Sequence, residues 1–337
     1  MTSAATIRDV ASRAGVSLGT ISNYLNDNKP IAEPTRRRIE AAIAELGFVP
    51  NSAVRVMRGA RSHVVAFIVP DSANPFFTEV ARGIEDVAIQ TGHVVVSCNT
   101  QGDRAREQHY AKALTEMRVR AAIAVPSGTS DELLRTLRKS GVQVVTLSGV
   151  SEDEAFSSVS IDDRLGGALA MDHALDLGHR DIVYLGGPAA QPQIRARVEG
   201  CRDSLKRRRI KVSSLRRVDA IGATPALRSA GAAQVLALSP RPTAVVCAND
   251  LLALAMESEA IRQGVRVPQD LTIIGYDDID GAVAAPIPLT TVHQPQYDLG
   301  RRAAEIAFST TDSQPVHEWF TPVLTVRESS AAPASRA

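Results

Sequence analysis

Apolar positions in the first fifty residues recur at helical intervals. One stripe is Ile7, Val10 and Ala11, a second is Thr20, Ile21 and Leu25, and a third is Ile39, Ala42, Ile43 and Leu46. Punctuating residues separate them. Thr6, with Asp9 three residues on, predicts a capped start, and Gly15 breaks that first helix. Ser17 caps a second helix that runs to about Asn26, Pro34 opens a third and Gly47 closes it. The tight turn Arg13-Ala14-Gly15-Val16 makes the first pair a helix-turn-helix candidate. Small Ala11 and Gly15 let the helices approach, and Val16 fills the angle. An ordinary three-helix bundle is the plainer alternative. Residues 50–59 hold one or two more helical turns, capped by Asn51 or Ser52, too short to stand alone because isolated helices below ~12–15 residues are marginal.

From residue 64 the pattern becomes short apolar runs alternating with amphipathic helices. The runs cover 64–69, 94–98, 121–125, 142–147, 182–185, 244–247 and 271–275. Helical stretches include 77–90, 104–117, 131–139, 165–177, 195–208, 224–238, 251–263 and 297–309. Such alternation predicts parallel sheets covered by helices on both faces, and so many elements predict two doubly wound lobes.

Composition narrows the class. The chain has 337 residues, 44% hydrophobic and 22% charged, which excludes a disordered or collagen-like chain and allows two or three domains. Cys98, Cys201 and Cys247 are widely spaced with no CxxC, so neither a disulfide framework nor a zinc ribbon is expected. No run approaches the ~18 apolar residues of a membrane span, and the opening lacks the apolar core of a signal peptide. The expected location is the cytoplasm. The net charge of +1 conceals an asymmetry: residues 1–62 carry nine basic and five acidic side chains. A basic head on a near-neutral body fits a polyanionic partner.

Catalytic signatures are absent from the sequence. The strand ending in Val69-Pro70-Asp71-Ser72-Ala73-Asn74-Pro75 carries no GxGxxG, and Gly186-Gly187-Pro188 lacks the third glycine. There is no P-loop, no GxSxG elbow and no HExxH among seven histidines. We therefore expect no catalytic residues, no metal, no cofactor and no enzyme. Parallel sheets can bind a small molecule at their carboxyl ends without transforming it.

The residues also carry a resemblance. Residues 7–17 and the string Thr20-Ile21-Ser22-Asn23-Tyr24-Leu25-Asn26 resemble the headpiece of lactose-repressor-type (LacI/GalR) transcription regulators. The match continues through Leu46-Gly47-Phe48-Val49-Pro50-Asn51, Asn74-Pro75-Phe76-Phe77, Leu177-Gly178-His179-Arg180 and Arg241-Pro242-Thr243-Ala244. Ala248-Asn249-Asp250, Ile274-Gly275-Tyr276-Asp277-Asp278, Leu289-Thr290-Thr291-Val292 and Val326-Arg327-Glu328-Ser329 follow in order. The resemblance implies an all-α helix-turn-helix headpiece plus an α/β two-lobed, periplasmic-binding-protein-like body with two doubly wound parallel sheets. It implies a DNA-binding domain at 1–49, a hinge helix and linker at 50–61, and an effector-binding and dimerisation domain at 62–329. Lobe one would be 62–161 plus 293–321, lobe two 162–292 plus 322–329, and 330–337 a flexible tail.

Its implied function is a repressor, not an enzyme, that binds a palindromic double-stranded operator as a homodimer. A small-molecule effector, a sugar or other polar metabolite, would control it from between the lobes, with no membrane involved. Leu18, Gly19 and Asn23 would face base edges, and Asn23 can bond an adenine edge. Ser17, Thr20 and Ser22 suit phosphate. In the hinge, Asn51 is the cap candidate, Met57 takes the minor-groove wedge position, and Arg55 and Arg58 face phosphate. In the cleft the candidates are Phe76, Ser127, Gln191, Gln193, Arg197, Asn249 and Asp277. Two alternatives stand beside these: Phe76 as core, and Arg197–Asp277 as a structural ion pair. Asp250 reads as the cap of the following helix. A binding protein with no DNA role and an α/β enzyme are the competing functions.

Overall fold

Strand β1 (Val64–Val69) shows how the body is built. Val65, Phe67 and Val69 join one hydrophobic core, while Ala66 and Ile68 join another. Side chains alternate sides along a strand, so an unbroken apolar run means a sheet buried on both faces. Strands β3 (Ala121–Ala124) and β4 (Gln143–Leu147) divide in the same way.

The computed structural model describes residues 5–26, 29–49, 62–125, 132–147, 156–187, 191–220, 224–309 and 314–334. The chain forms two units, residues 1–62 and 63–337. In the first, α1 (Ile7–Ala14), α2 (Leu18–Asn26) and α3 (Glu33–Leu46) close around Val10, Ala11, Ala14, Ile21, Ile39 and Ala42, all buried. The hinge expected at 50–61 lies outside the described residues.

The second unit holds two six-stranded sheets. The first runs β2 (Val94–Asn99), β1, β3, β4, β5 (Ser157–Ile161) and β11 (His317–Phe320), parallel throughout. The second runs β7 (Arg216–Asp219), β6 (Ile182–Gly186), β8 (Ala244–Cys247), β9 (Thr272–Asp277), β10 (Thr290–His293) and β12 (Val323–Thr325). Only its β10–β12 pair is antiparallel. Helices α4 (Pro75–Gln90), α5 (Arg104–Glu116), α6 (Glu132–Lys139) and α12 (Gln296–Phe308) flank the first sheet. Helices α7 (Asp163–Asp176), α8 (Pro192–Arg207), α9 (Pro225–Leu236) and α10 (Asp250–Arg262) flank the second, and the short α11 (Asp280–Ala284) follows β9. The chain crosses between sheets three times: after β5, after β10, and between β11 and β12.

The fold class is the one the sequence predicts, yet β5, β10 and β11 do not stand out as apolar runs. Ser157, Ser158 and Ser160 in β5 and Thr290 and Thr291 in β10 are buried. Ser160 Oγ finds no hydrogen-bond partner among the described residues, but the other four hydroxyls are used. Ser158 Oγ lies 2.9 Å from His317 Nδ1, Ser157 Oγ accepts from the Val316 amide at 3.1 Å, and Thr291 donates to Asp250 at 2.6 Å. Buried hydroxyls cost little once hydrogen-bonded, so strands at the crossovers tolerate serine and threonine.

One expectation needs correction. The tail expected to be flexible from residue 330 begins anchored. Ser330 Oγ lies 2.9 Å from His173 Nε2, and the Ala331 carbonyl accepts from His179 Nε2 at 2.8 Å and from Thr272 Oγ1 at 2.9 Å. Small Ser330 and Ala331 read as loop, but the Ser330 hydroxyl meets His173 and the Ala331 carbonyl meets buried His179.

Two helix pairs meet backbone to backbone. A Cβ on Gly83 would sit 2.1 Å from the Tyr297 carbonyl oxygen, and one on Gly300 2.0 Å from that of Val80, locking α4 against α12. A Cβ on Gly167 would sit 2.0 Å from the Arg197 carbonyl oxygen, and one on Gly200 1.9 Å from that of Arg164, locking α7 against α8. Backbone cannot yield as a side-chain tip can. Gly200→Ala should therefore lower the unfolding free energy by about 1–3 kcal/mol, the usual range for overpacking. Urea denaturation checks this, and an unchanged midpoint would contradict the contact.

Candidate functional site

Helix α2 is presented by the chemistry of its ends. Upstream, Thr6 and Asp9 form the expected reciprocal cap: the Thr6 amide donates to Asp9 Oδ2 at 2.8 Å and the Asp9 amide to Thr6 Oγ1 at 3.4 Å. The Thr6 side-chain bond holds the Asp9 carboxyl below its usual range. Gly15 takes a left-handed φ of 64°, which turns the chain, and the Val16 amide then bonds back to the Ala11 carbonyl at 3.0 Å. Ser17 Oγ accepts from the Thr20 amide at 3.1 Å and lies 2.9 Å from Thr20 Oγ1. Ser17, Leu18 and Gly19 are exposed, Leu18 at 45%, while Thr20, Ser22 and Asn23 are half-buried. Ile21 on the other face is fully buried. Tyr24 ties α2 to α3 by donating to Glu40 at 3.1 Å, with the Arg36 guanidinium 5.6 Å from its ring centre. The first turn of α2 is thus an open edge on a fixed core. The predicted residues Asn51, Arg55, Met57 and Arg58 lie outside the described residues, as does Ser127.

A second constellation forms at the carboxyl ends of the strands in the body, where ligands enter open α/β sheets. Asp277 ends β9. Its backbone has φ of 119°, a region that L-residues adopt only when their surroundings hold them there. Three amides do so. Asn74 donates to one carboxylate oxygen at 3.3 Å, Gln294 to the other at 2.7 Å, and Gln296 to the main-chain carbonyl. Asn74 stands at the start of α4 on the first sheet, so its bond to Asp277 joins the two lobes. Burial pushes the Asp277 carboxyl up to about 6, against the pull of Arg197.

Arg197 on α8 is buried. Its Nε donates to Asp163 at 2.7 Å, its Nη1 donates to the Ala248 carbonyl, and its guanidinium lies 3.6 Å from the Tyr276 ring centre. Tyr276 also donates to Asp163, at 3.1 Å. The structural ion pair considered for Arg197 with Asp277 is therefore made with Asp163 instead. Asp163 is the first residue of α7, and the Gly167 and Gly200 contacts hold α7 close enough for the pair to form.

The other predicted cleft residues divide. Phe76 is 5% exposed and packs in the core, edge-on to half-buried Phe77 at 5.1 Å. Asn249, not Asp250, caps α10: its Oδ1 accepts from the Leu252 amide at 3.0 Å. Asp250 is buried, accepting from Thr291 Oγ1 at 2.6 Å and from the Ile279 amide at 3.0 Å. This corrects the sequence reading, because the carboxylate is drawn inward to the β9–β10 strand ends. Gln191 and Gln193 open α8, both half-buried, and Gln193 lines a groove of about 400 Å³ together with Asp163. A larger groove, about 450 Å³, belongs to α5 and α6 and shares no residue with this site. Sequence reading missed Asn74, Asp163, Tyr276 and Gln294. Asn74 and Tyr276 lie inside quoted motifs, but nothing local marks them as partners of residues two hundred and one hundred positions away. Among the described residues no three metal-ligating side chains converge.

Burial, with the nearby Asp277 charge second, pushes Asp250 up to about 7. An unfolded aspartate ionises near ~3.9. Between these values the folded chain holds a proton that the unfolded chain has released, so stability falls as pH rises from about 4 towards 7. Asp250→Asn, which cannot ionise, should flatten that fall. Urea midpoints at pH 5 and pH 8 measure it, and an unchanged slope would count against the raised value.

With this geometry in place, comparison with known proteins is direct. Residues 6–51 match the model for bacterial regulatory proteins of the lacI family, and residues 171–330 match a periplasmic binding protein-like domain. The HTH-type transcriptional repressor PurR of Photobacterium profundum is 34% identical over 304 residues, 90% of each chain. The ribose operon repressor of Escherichia coli K12 is 32% identical over 309 residues, 90% of this chain and 92% of that one. The structure of the lac repressor dimer bound to operator and the anti-inducer ONPF superposes with a TM-score of 0.82 at 27% identity, over 98% of this chain and 100% of that one. No described helix is long and apolar enough to cross a membrane. The chain belongs to the lacI family of bacterial regulatory proteins, a family of DNA-binding transcriptional repressors rather than enzymes.

Proposed function

We propose that this protein represses transcription by binding a two-fold operator as a homodimer, and that a small polar effector held between its lobes sets its operator affinity. The observation that carries the reading is the exposed first turn of α2, seated on a buried three-helix core. A helix end so placed enters a major groove, where backbone-facing side chains position and edge-facing side chains select. Ser17, Thr20 and Ser22 serve phosphate, and Leu18, Gly19 and Asn23 face the bases. Asn51, Arg55, Met57 and Arg58 act in the hinge. Leu18 offers only an apolar contact, so Asn23 carries most of the hydrogen-bond selection.

Effector binding falls to Arg197, Asn249 and Asp277, with Gln191 and Gln193 at the margin, Phe76 packing from behind and Ser127 as a further candidate from the sequence. The Asn74–Asp277 bond supports this, because it links lobe to lobe at the point a ligand would enter. A ligand that favours one lobe arrangement shifts the population of operator-competent dimers by its differential affinity. Val94 and Val96 on the β2 edge of the first sheet and Ile89 near the end of α4 stand exposed, and a second copy would cover them. The three crossovers support the lobe assignment 62–161 plus 293–321 and 162–292 plus 322–329. Such a repressor works in the cytoplasm, on the nucleoid.

Genomic fragments selected by the purified chain, then footprinted with and without candidate metabolites, test the reading. A protected palindrome whose occupancy changes with one metabolite is the expected outcome, and indifference to every palindrome across a salt series would defeat it. Asn23→Ala should cost about 1–3 kcal/mol of discrimination at one base position in each half-site. Effector affinity of the body, measured by calorimetry, should stay unchanged. Equal damage to both would mean that the reading surface is misplaced.

A further inference from the structure

We infer that the groove beside Trp319 extends the interlobe site and stacks a second ring of an uncharged, two-ring carbohydrate effector. This deepens the effector-site reading above and rests on it. Trp319 is the single tryptophan of the chain and lies on β11, at the opposite edge of the first sheet from β2. The surface proposed for the second copy therefore leaves it open. Its residue surface is 57% exposed. A ring of this size contributes most when covered, so one left in water beside a concave site is placed for a ligand face.

The groove, about 400 Å³, is lined by Trp319, Ile161, Asp162, Asp163, Pro192 and Gln193, among others. These residues come from both lobes: Ile161 ends β5 and Trp319 lies on β11 of the first sheet, while Pro192 and Gln193 open α8 beside the second. Asp163 lines the groove and also pairs with Arg197, so the groove shares a wall with the Arg197–Asp277 cluster. Gln193 precedes Arg197 by four residues, one helical turn, and the two fall on one face of α8. A ligand seated at Asp277 and reaching along α8 would meet Trp319 with its far end.

The lining chemistry selects the class. The C–H face of a pyranose stacks on indole, and its hydroxyls pair with amides and carboxylates. The Asp162 carboxylate disfavours a phosphate or carboxylate ligand, while the charge of Asp163 is balanced by Arg197. Arg164 also lines the groove and pairs with Asp203 at 2.6 Å, and buried Arg197 pairs with Asp163 at 2.7 Å. A single-ring effector filling the Asp277 end would leave Trp319 in water, whereas a two-ring one covers it.

Because Trp319 is alone, its emission reads the groove directly. The full chain is titrated with cellobiose, maltose and lactose, with glucose and ribose as single-ring probes and adenine as a heteroaromatic one. Release of labelled operator is followed in parallel. At least one disaccharide should shift the emission saturably, while glucose and ribose leave it unmoved. Trp319→Ala should weaken that disaccharide about tenfold by calorimetry, and Trp319→Tyr should keep most of the affinity. The proposal is overturned if no disaccharide moves the emission, if disaccharide affinity survives Trp319→Ala, or if adenine alone moves it. A sugar that releases operator with Trp319 silent would defeat the groove and leave the DNA-binding reading standing. Failure to find any operator would defeat the latter, which the emission titration does not require.

Discussion

Arg197 can be buried only because Asp163 is buried with it. An uncompensated guanidinium inside a protein costs several kcal/mol, and the attraction of its partner repays that only at close range and in good geometry. The range is set by glycine. Gly167 and Gly200 bring α7 and α8 into backbone contact, which puts the Asp163 carboxylate 2.7 Å from Arg197 Nε, and the ring centre of Tyr276, on β9, lies 3.6 Å from the guanidinium. With its charge thus neutralised, Arg197 can stand near Asp277 without fixing that carboxylate in its ionised form. Asp277 is held by neutral amides instead, in a backbone conformation it would not otherwise adopt.

The same arrangement explains how two sheets can act as one sensor. Two of the three crossovers leave strands rich in serine and threonine, β5 and β10, most of whose hydroxyls satisfy neighbouring backbone and side chains rather than filling a dry core. At the carboxyl ends of the strands, Asn74 reaches from one lobe to Asp277 on the other through a single hydrogen bond, worth little net. A contact of that size is easily traded for contacts to a guest. In linkage terms, the lobes need only prefer different arrangements with and without the guest for the preference to be felt in dimer geometry. The family is one of repressors rather than enzymes, and a sensor needs no catalytic constellation.

Local pattern determined a good deal of this protein. Helical periodicity and end signals at Thr6, Gly15, Ser17, Pro34 and Gly47 were enough to place three headpiece helices, because caps and stripes are properties of a few adjacent residues. The short apolar runs were enough to place seven strands, six of them because a strand buried on both faces must be apolar throughout; β2 is an apolar run at an open sheet edge. Where hydroxyls replaced methyl groups, as in β5 and β10, the run vanished and periodicity had nothing to register.

Tertiary structure decided what pairs with what. Nothing near residue 197 in the chain indicates that its carboxylate is Asp163 rather than Asp277, since both are acidic and both come from distant elements. Nor does the order Asn249-Asp250 say which side chain turns outward to cap the helix and which turns in towards Thr291. Phe76 and Phe77 likewise divide between core and surface only once α4 is seated. Spacing along the chain selects elements, but the partner of a buried charge is chosen by which backbones can approach within hydrogen-bonding reach, and only the folded packing sets that.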